Sequence, residues 1–165
     1  MGVLFTNIAS APFLMQEHYG LSTLHFSIVF GFNALTFAIA AALIPKFKDN
    51  DAAIRFGTFA LAGFSVLTAV VLFFKPGFWW YEIFILMLIV GIVSTASNVS
   101  AMDSGRDNAG VASALLGAIG YAFGGIVPAI VGMGDMFITT GALFLCSSMF
   151  TLVCVLISLA GKKSA

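Results

Sequence analysis

The sequence predicts an all-α membrane protein of six helices, in two sets of three that start on opposite sides of the bilayer. The 165 residues are 61% hydrophobic and 8% charged, with a mean hydropathy of +1.09, whereas soluble domains are about 45–50% apolar and ~25% charged. The charged residues lie between six long apolar runs. No soluble fold of this length buries so much apolar surface, so the expected solvent is lipid. The formal net charge of +0 gives no electrostatic case for nucleic-acid binding.

The apolar runs define a single membrane domain over residues 1–165, with helices at about 2–16, 24–45, 53–74, 80–102, 107–133 and 136–161. The first run, Val3–Met15, is the short one. It rises only about 20 Å at ~1.5 Å per residue, whereas the hydrocarbon core is about 30 Å thick. It is either a tilted or re-entrant piece, or the back half of a helix truncated at its start, and we prefer the second interpretation.

Prolines and loop lengths set the ends of the later helices. Pro45 and Pro76 end the second and third helices, whereas Pro12 and Pro128 are expected to kink or break theirs. The fourth helix starts at an aromatic group, residues 79–81, that is typical of the membrane interface. The loop before the sixth helix is so short that helices five and six must form an antiparallel hairpin. The third and sixth helices, apolar on every side, are expected at the periphery.

Lysine and arginine in the short loops orient the helices, because cytoplasmic loops carry more of both. Lys75 is the only lysine or arginine in the loops expected to lie outside. We therefore expect a cytoplasmic C-terminus, with Glu17, Trp80 and Asp135 outside. The residues that mark the cytoplasmic side are Lys46, Lys48, Arg55, Arg106, Lys162 and Lys163.

The apolar runs contain no residue suited to catalysis. None includes His, Asp, Glu, Lys or Arg, and both histidines, His18 and His25, lie in the first outer loop. The sequence has no nucleophile motif and no metal-ligand spacing on a helix. We therefore expect no enzyme activity, no catalytic residue, no metal and no cofactor.

Neutral polar side chains inside the runs are the candidates for contact with a solute. Ser94 and Asn98 are four residues apart and so share a helix face. Such residues either line a polar cavity or form hydrogen bonds between helices. The predicted cavity residues are Asn7, Ser10, Asn33, Ser94, Asn98 and Tyr121.

The fifth helix has one face almost free of side-chain bulk. Each glycine in a helix interior costs about 1 kcal/mol relative to alanine in water, so a repeated pattern needs a reason. The usual reason is that another helix backbone comes close, although membrane helices are also richer in glycine generally. The predicted packing residues, three or four apart, are Gly110, Ser113, Gly117, Gly120, Gly124 and Pro128.

Several segments carry a family resemblance. They are SAPF at Ser10–Phe13, EHYGLS at Glu17–Ser22, HFSIVFGFNA at His25–Ala34 and the long stretch Ser97–Val127. The chain resembles the C-terminal half of a major facilitator superfamily transporter, and more narrowly the Bcr/CflA-type drug-resistance branch. It departs from that branch at Pro128, because members commonly have Ser-Pro-Leu where this chain has Pro-Ala-Ile.

The resemblance implies a six-helix half of a major facilitator fold, a 3+3 inverted repeat with a truncated first helix. Such transporters have about twelve helices, and their proton-coupling acid and arginine lie in the N-terminal half. The implied function is drug/proton antiport across the inner membrane, with a small amphipathic solute and protons as partners once an N-terminal half completes the chain. The fifth helix then lies where the halves meet. The alternatives are a half-size protein that homo-oligomerises or pairs with a separate half, and a non-transporting scaffold or truncated gene product.

Overall fold

The computed structural model describes residues 1–74 and 80–164, of which residues 80, 81 and 161–164 are described by their backbone alone. Six α-helices make up this part of the chain. They are α1 (Gly2–Pro12, continued by a π-helical segment at Phe13–His18), α2 (Thr23–Leu43), α3 (Asn50–Phe74), α4 (Trp80–Ser104), α5 (Ala109–Val131) and α6 (Met136–Ser164).

The fold class predicted from the sequence is confirmed. Within the described residues, α2 to α6 are each long and apolar enough to cross a membrane. With the π-helical segment counted as part of α1, every described helix end lies within three residues of the bound expected from the sequence. The predicted aromatic belt at residues 79–81 and the outer Lys75 lie outside the side chains that the structure describes.

Helix packing follows an internal symmetry between the first three helices and the last three. The most extensive contacts of α1 are with α5 and α6, and those of α4 are with α2 and α3. Helices α3 and α6 also pack closely against each other. Exchanging α1, α2, α3 for α4, α5, α6 reproduces this set of contacts. The packing therefore has the order expected of two related three-helix units.

Helix α1 passes Pro12 without a break. Proline has no backbone N–H to donate, and the chain beyond it follows a wider helix, in which the Tyr19 N–H donates to Leu14 O at 3.2 Å. Insertion of such a turn is a recognised way to accommodate a disturbed hydrogen-bond ladder. The helix therefore continues to His18, two residues beyond the predicted end.

Burial is greatest in α4 and α1. Ile83, Leu86 and Met87 of α4 pack in the same core as Leu14 and Met15 of α1. By contrast, the buried residues of α2 are only Asn33 and Ala40, and those of α5 are Gly120, Val127 and Val131. Helices α2 and α5 therefore leave long apolar faces uncovered by the described chain. Exposed large side chains on these faces include Ile28, Phe32, Leu35, Val111, Leu115 and Ile119.

The closest backbone approaches involve glycines outside α5. A Cβ atom added to Gly91 of α4 would lie 2.5 Å from Ala40 Cβ and 2.9 Å from the Phe37 carbonyl oxygen of α2. A Cβ atom added to Gly141 of α6 would lie 3.4 Å from Ala69 Cα of α3. Small residues therefore allow close packing at the α2–α4 and α3–α6 contacts.

Helices α3 and α6 pack closely against each other, and both also expose large apolar side chains, among them Phe59, Phe73 and Ile157. Both helices also bury several hydroxyl groups. Small hydroxylated side chains suit such contacts because they let helix backbones approach and can donate to a carbonyl of their own helix. The buried hydroxyl residues are Thr58, Ser65 and Thr68 of α3 and Thr140 and Ser148 of α6.

Candidate functional site

The polar residues predicted to share one cavity are divided among three spaces. Asn98 and Tyr121 line a groove between α1, α4 and α5. Ser94 and Asn98 line a smaller cavity beside it. Asn7 and Asn33 lie together in a pocket between α1 and α2. Ser10 lines none of these spaces, and its hydroxyl donates to Thr6 O at 2.8 Å within α1.

The groove between α1, α4 and α5 is the largest of these spaces, with a volume of about 550 Å³. Its polar groups are the side chains of Asn98, Ser113 and Tyr121, and Tyr121 is 78% exposed. Sites for drug-sized molecules are typically about 300–1,000 Å³ and mostly apolar, with a few polar groups. The groove has the size and composition to hold a small amphipathic molecule. Its remaining lining residues are Met1, Leu4, Phe5, Met102, Leu116, Gly117 and Gly120.

The smaller cavity lies against α4 and α6 and has a volume of about 170 Å³. Ser94 and Asn98 both line it, as expected from their four-residue spacing. Ser147 and Thr151 of α6 face it from the other side. Asn98 borders both this cavity and the groove.

The pocket between α1 and α2 is lined by two buried asparagines. Asn7 is 2% exposed and Asn33 is 3% exposed. Neither carboxamide oxygen has a hydrogen-bond partner in the described chain. The pocket has a volume of about 190 Å³, and Phe30, Phe37 and Met87 contribute to its walls.

The small-residue face of α5 is divided between two environments. A Cβ atom added to Gly124 would lie 2.9 Å from the ring of Phe5 in α1, and one added to Gly120 would lie 3.8 Å from Met1. At Gly110 and Gly117 nothing described lies within 4 Å. Part of this face therefore packs within the chain, and Gly117 borders the open groove. Ser113 and Pro128 are exposed.

The first and fifth loops meet at one end of the molecule. The His18 ring packs edge-on against Phe137, with ring centroids 4.6 Å apart. Asp135 accepts from the Phe137 N–H at 3.0 Å, which caps α6. Partial burial raises the pKa of the neighbouring Tyr19 phenol above its ordinary value. Within residues 1–74 and 80–164, no three His, Cys, Asp or Glu side chains are placed to hold a metal ion together.

The sequence did not indicate that one carboxyl group, that of Glu82, is partly buried. Glu82 lies in the first turn of α4 and is half-buried. Its Oε1 atom accepts from the hydroxyl of Thr68 in α3 at 3.3 Å. The only sequence signal is its place at the edge of the fourth apolar run. The contact ties the C-terminal part of α3 to the N-terminal end of α4 and lies away from the groove.

Comparison with known proteins identifies a relative that covers most of this chain. The chain is similar to an uncharacterized MFS-type transporter, YdgK of Bacillus subtilis (strain 168), with 32% identity over 139 residues. The matched segment is 81% of this chain and 35% of that protein, so the chain spans roughly a third of its relative's length. No family model and no solved structure matches the chain. The similarity supports membership of the major facilitator superfamily, without assigning a branch within it.

Proposed function

We propose that this chain forms the C-terminal half of a major facilitator secondary transporter, and that it moves a small amphipathic solute when an N-terminal half completes it. The observation that carries this proposal is the groove of about 550 Å³ between α1, α4 and α5. Its apolar wall and three polar side chains suit a solute with both kinds of surface. The similarity to a transporter over 81% of the chain supports the same assignment.

Helices α2 and α5 are the proposed contact with the N-terminal half. Both have few buried residues, and both expose large apolar side chains along much of their length. In lipid, the gain from joining such faces comes from packing and from close backbone approach, since lipid tails are as apolar as leucine. Gly110 and Gly117 of α5 have open space before them and can accept a neighbouring helix.

The finer proposal is drug/proton antiport across the inner membrane, with the C-terminus in the cytoplasm. It rests on the motif resemblance to the Bcr/CflA-type branch. Among the residues described as lining the groove, no Asp, Glu, His, Lys or Arg side chain is present. A proton-coupled transporter needs an ionisable group on the solute or proton route. The N-terminal half is therefore the proposed source of that group.

Efflux complementation tests the proposal. The chain is expressed alone, with a matching N-terminal half, and with an empty vector in cells that lack their main efflux systems. We expect resistance to a panel of amphipathic antibiotics only when both halves are present. A protonophore should then raise drug accumulation to the level of the empty vector.

Two other outcomes would contradict this assignment. Resistance from this chain alone would favour a half-size protein that associates with itself. Correctly inserted halves that co-purify but give no resistance to any compound would favour a non-transporting scaffold. Membrane levels of both halves, measured by immunoblot, separate these outcomes from a failure of expression.

A further inference from the structure

The smaller cavity beside the groove has polar side chains from two helices in its walls. Ser94, Ser97 and Asn98 are three or four residues apart and so share one face of α4. Ser147 and Thr151 are four residues apart on α6 and line the same cavity. Polar faces of two membrane helices usually meet to form hydrogen bonds between the helices. Here the two faces border an open space of about 170 Å³ instead.

Within the described residues, no side-chain hydrogen bond crosses this cavity from α4 to α6. The Thr151 hydroxyl donates to Ser147 O of its own helix at 2.9 Å. The Ser147 hydroxyl lies against Gly2 of α1, where an added Cβ atom would collide with it. The walls of the cavity therefore keep hydrogen-bonding capacity that the chain itself does not use.

These polar groups are accessible to a molecule in the cavity. Asn98 is exposed, and the four hydroxyl residues are half-buried. They differ in this respect from the asparagine oxygens of the α1–α2 pocket, which are enclosed by the chain. Polar groups away from bulk water nearly always find a hydrogen-bond partner in the protein, in water or in a ligand. The cavity therefore suits a hydrogen-bonding molecule from outside the chain.

The lining side chains select an uncharged group that both donates and accepts. A serine or threonine hydroxyl and a carboxamide can each do both. None of the described side chains lining the cavity is Asp, Glu, His, Lys or Arg, and burying an ion without a counter-charge is costly. A volume of about 170 Å³ is below the usual range for a whole drug-sized molecule. The cavity therefore has room for one end of such a molecule.

We propose that this cavity is the subsite for the uncharged polar end of the solute, a hydroxyl or primary amide group, and that the apolar part of the same molecule lies in the groove. Met1 and Asn98 line both spaces, so the two spaces adjoin at these side chains. The inference rests on the proposed function in placing the groove on the solute route. It deepens that function by naming the chemical group that is recognised and the residues that recognise it.

Protection of a cysteine inside the cavity tests the proposal. Ser97→Cys is introduced into the full chain after Cys146 and Cys154 have been replaced by alanine, and the purified protein in lipid nanodiscs is treated with N-ethylmaleimide. The probes are 1-naphthaleneethanol and 1-propylnaphthalene, which differ only in a terminal hydroxyl or methyl group. The alcohol should slow alkylation of the cysteine in a saturable way. The hydrocarbon should not do so at an equal concentration in the lipid, because it leaves the polar walls without a partner.

Alanine variants in the same background identify hydrogen bonds as the source of the protection. Ser94→Ala and Ser147→Ala each remove one hydroxyl, from different walls of the cavity, so either variant suffices if the other fails to fold. One neutral hydrogen bond typically corresponds to about a three- to tenfold change in affinity. Each variant should therefore raise the half-protecting concentration of the alcohol about three- to tenfold. Ser113→Ala is the matched control, because Ser113 lines the groove but not the cavity, and it should leave this concentration unchanged.

Three results would overturn the proposal: no alkylation of the introduced cysteine, equal protection by both probes or by neither, or protection by the alcohol that both alanine variants leave unchanged. Protection by neither probe would mean that water alone satisfies the polar walls. The assay needs neither transport nor an N-terminal half. Protection by the alcohol that the cavity variants weaken, combined with failed efflux complementation, would therefore refute the proposed function and leave the subsite standing.

Discussion

Gly91→Ala is the substitution that most sharply tests the packing of the helices. The added Cβ would lie 2.5 Å from Ala40 Cβ and 2.9 Å from the Phe37 carbonyl oxygen. The second neighbour is a backbone atom, so α2 and α4 must move apart. Overpacking costs about 1–3 kcal/mol, and we take the upper end because backbone must shift. Alanine returns about 1 kcal/mol of helix propensity. The expected net loss is about 2 kcal/mol, close to a 30-fold shift toward the unfolded chain.

Unfolding of the purified chain by SDS in mixed micelles, followed by circular dichroism, measures this loss. Gly117→Ala is the matched control, since nothing described lies within 4 Å of its added Cβ. It should be neutral or more stable by up to about 1 kcal/mol. Adding Ala40→Gly to Gly91→Ala should recover part of the loss, because one of the two contacts is relieved. If Gly91→Ala proves as stable as Gly117→Ala, the α2–α4 contact described above is wrong.

Three further predictions concern α5 and the topology. Gly124→Ala should cost less than about 1 kcal/mol in the same unfolding assay, because its neighbour is the movable ring of Phe5, 2.9 Å away; a loss as large as that of Gly91→Ala would contradict this. Gly117→Leu should reduce co-purification with an N-terminal half while membrane levels stay at the parent's, and the reverse pattern would place its face inside this chain. In a cysteine-free background, Asp135→Cys should react with an impermeant reagent from outside and Lys48→Cys from the cytoplasm; the opposite labelling would invert the topology.

The six helices could be predicted from the sequence because the signal for each is local. Long apolar runs bounded by charges or prolines define a membrane helix by themselves. The continuation of α1 past Pro12 shows the limit of this approach. A proline predicts a disturbance, but whether the helix breaks or widens is decided by its surroundings, and here Leu14 and Met15 are held in the core.

The arrangement of the candidate site could be predicted only where both residues lie on one helix. Ser94 and Asn98 share a cavity because their spacing alone places them on one face. The meeting of Asn7 with Asn33 depends on how α1 and α2 are rotated against each other, and no local pattern records that rotation. The close contact of Gly91 could not be predicted either. It is an isolated glycine in an apolar run, and its neighbour is known only once α2 is in place.

Solute flux in proteoliposomes is the most direct test of the claim that this chain is one half of a transporter. Vesicles contain the chain alone, a matching N-terminal half alone, or the co-purified pair, and the uptake of an amphipathic antibiotic is followed after an imposed pH gradient. The account predicts flux from the pair alone, lost when a protonophore removes the gradient. Equal flux from this chain by itself, or no flux from a verified pair across the antibiotic panel, would contradict it.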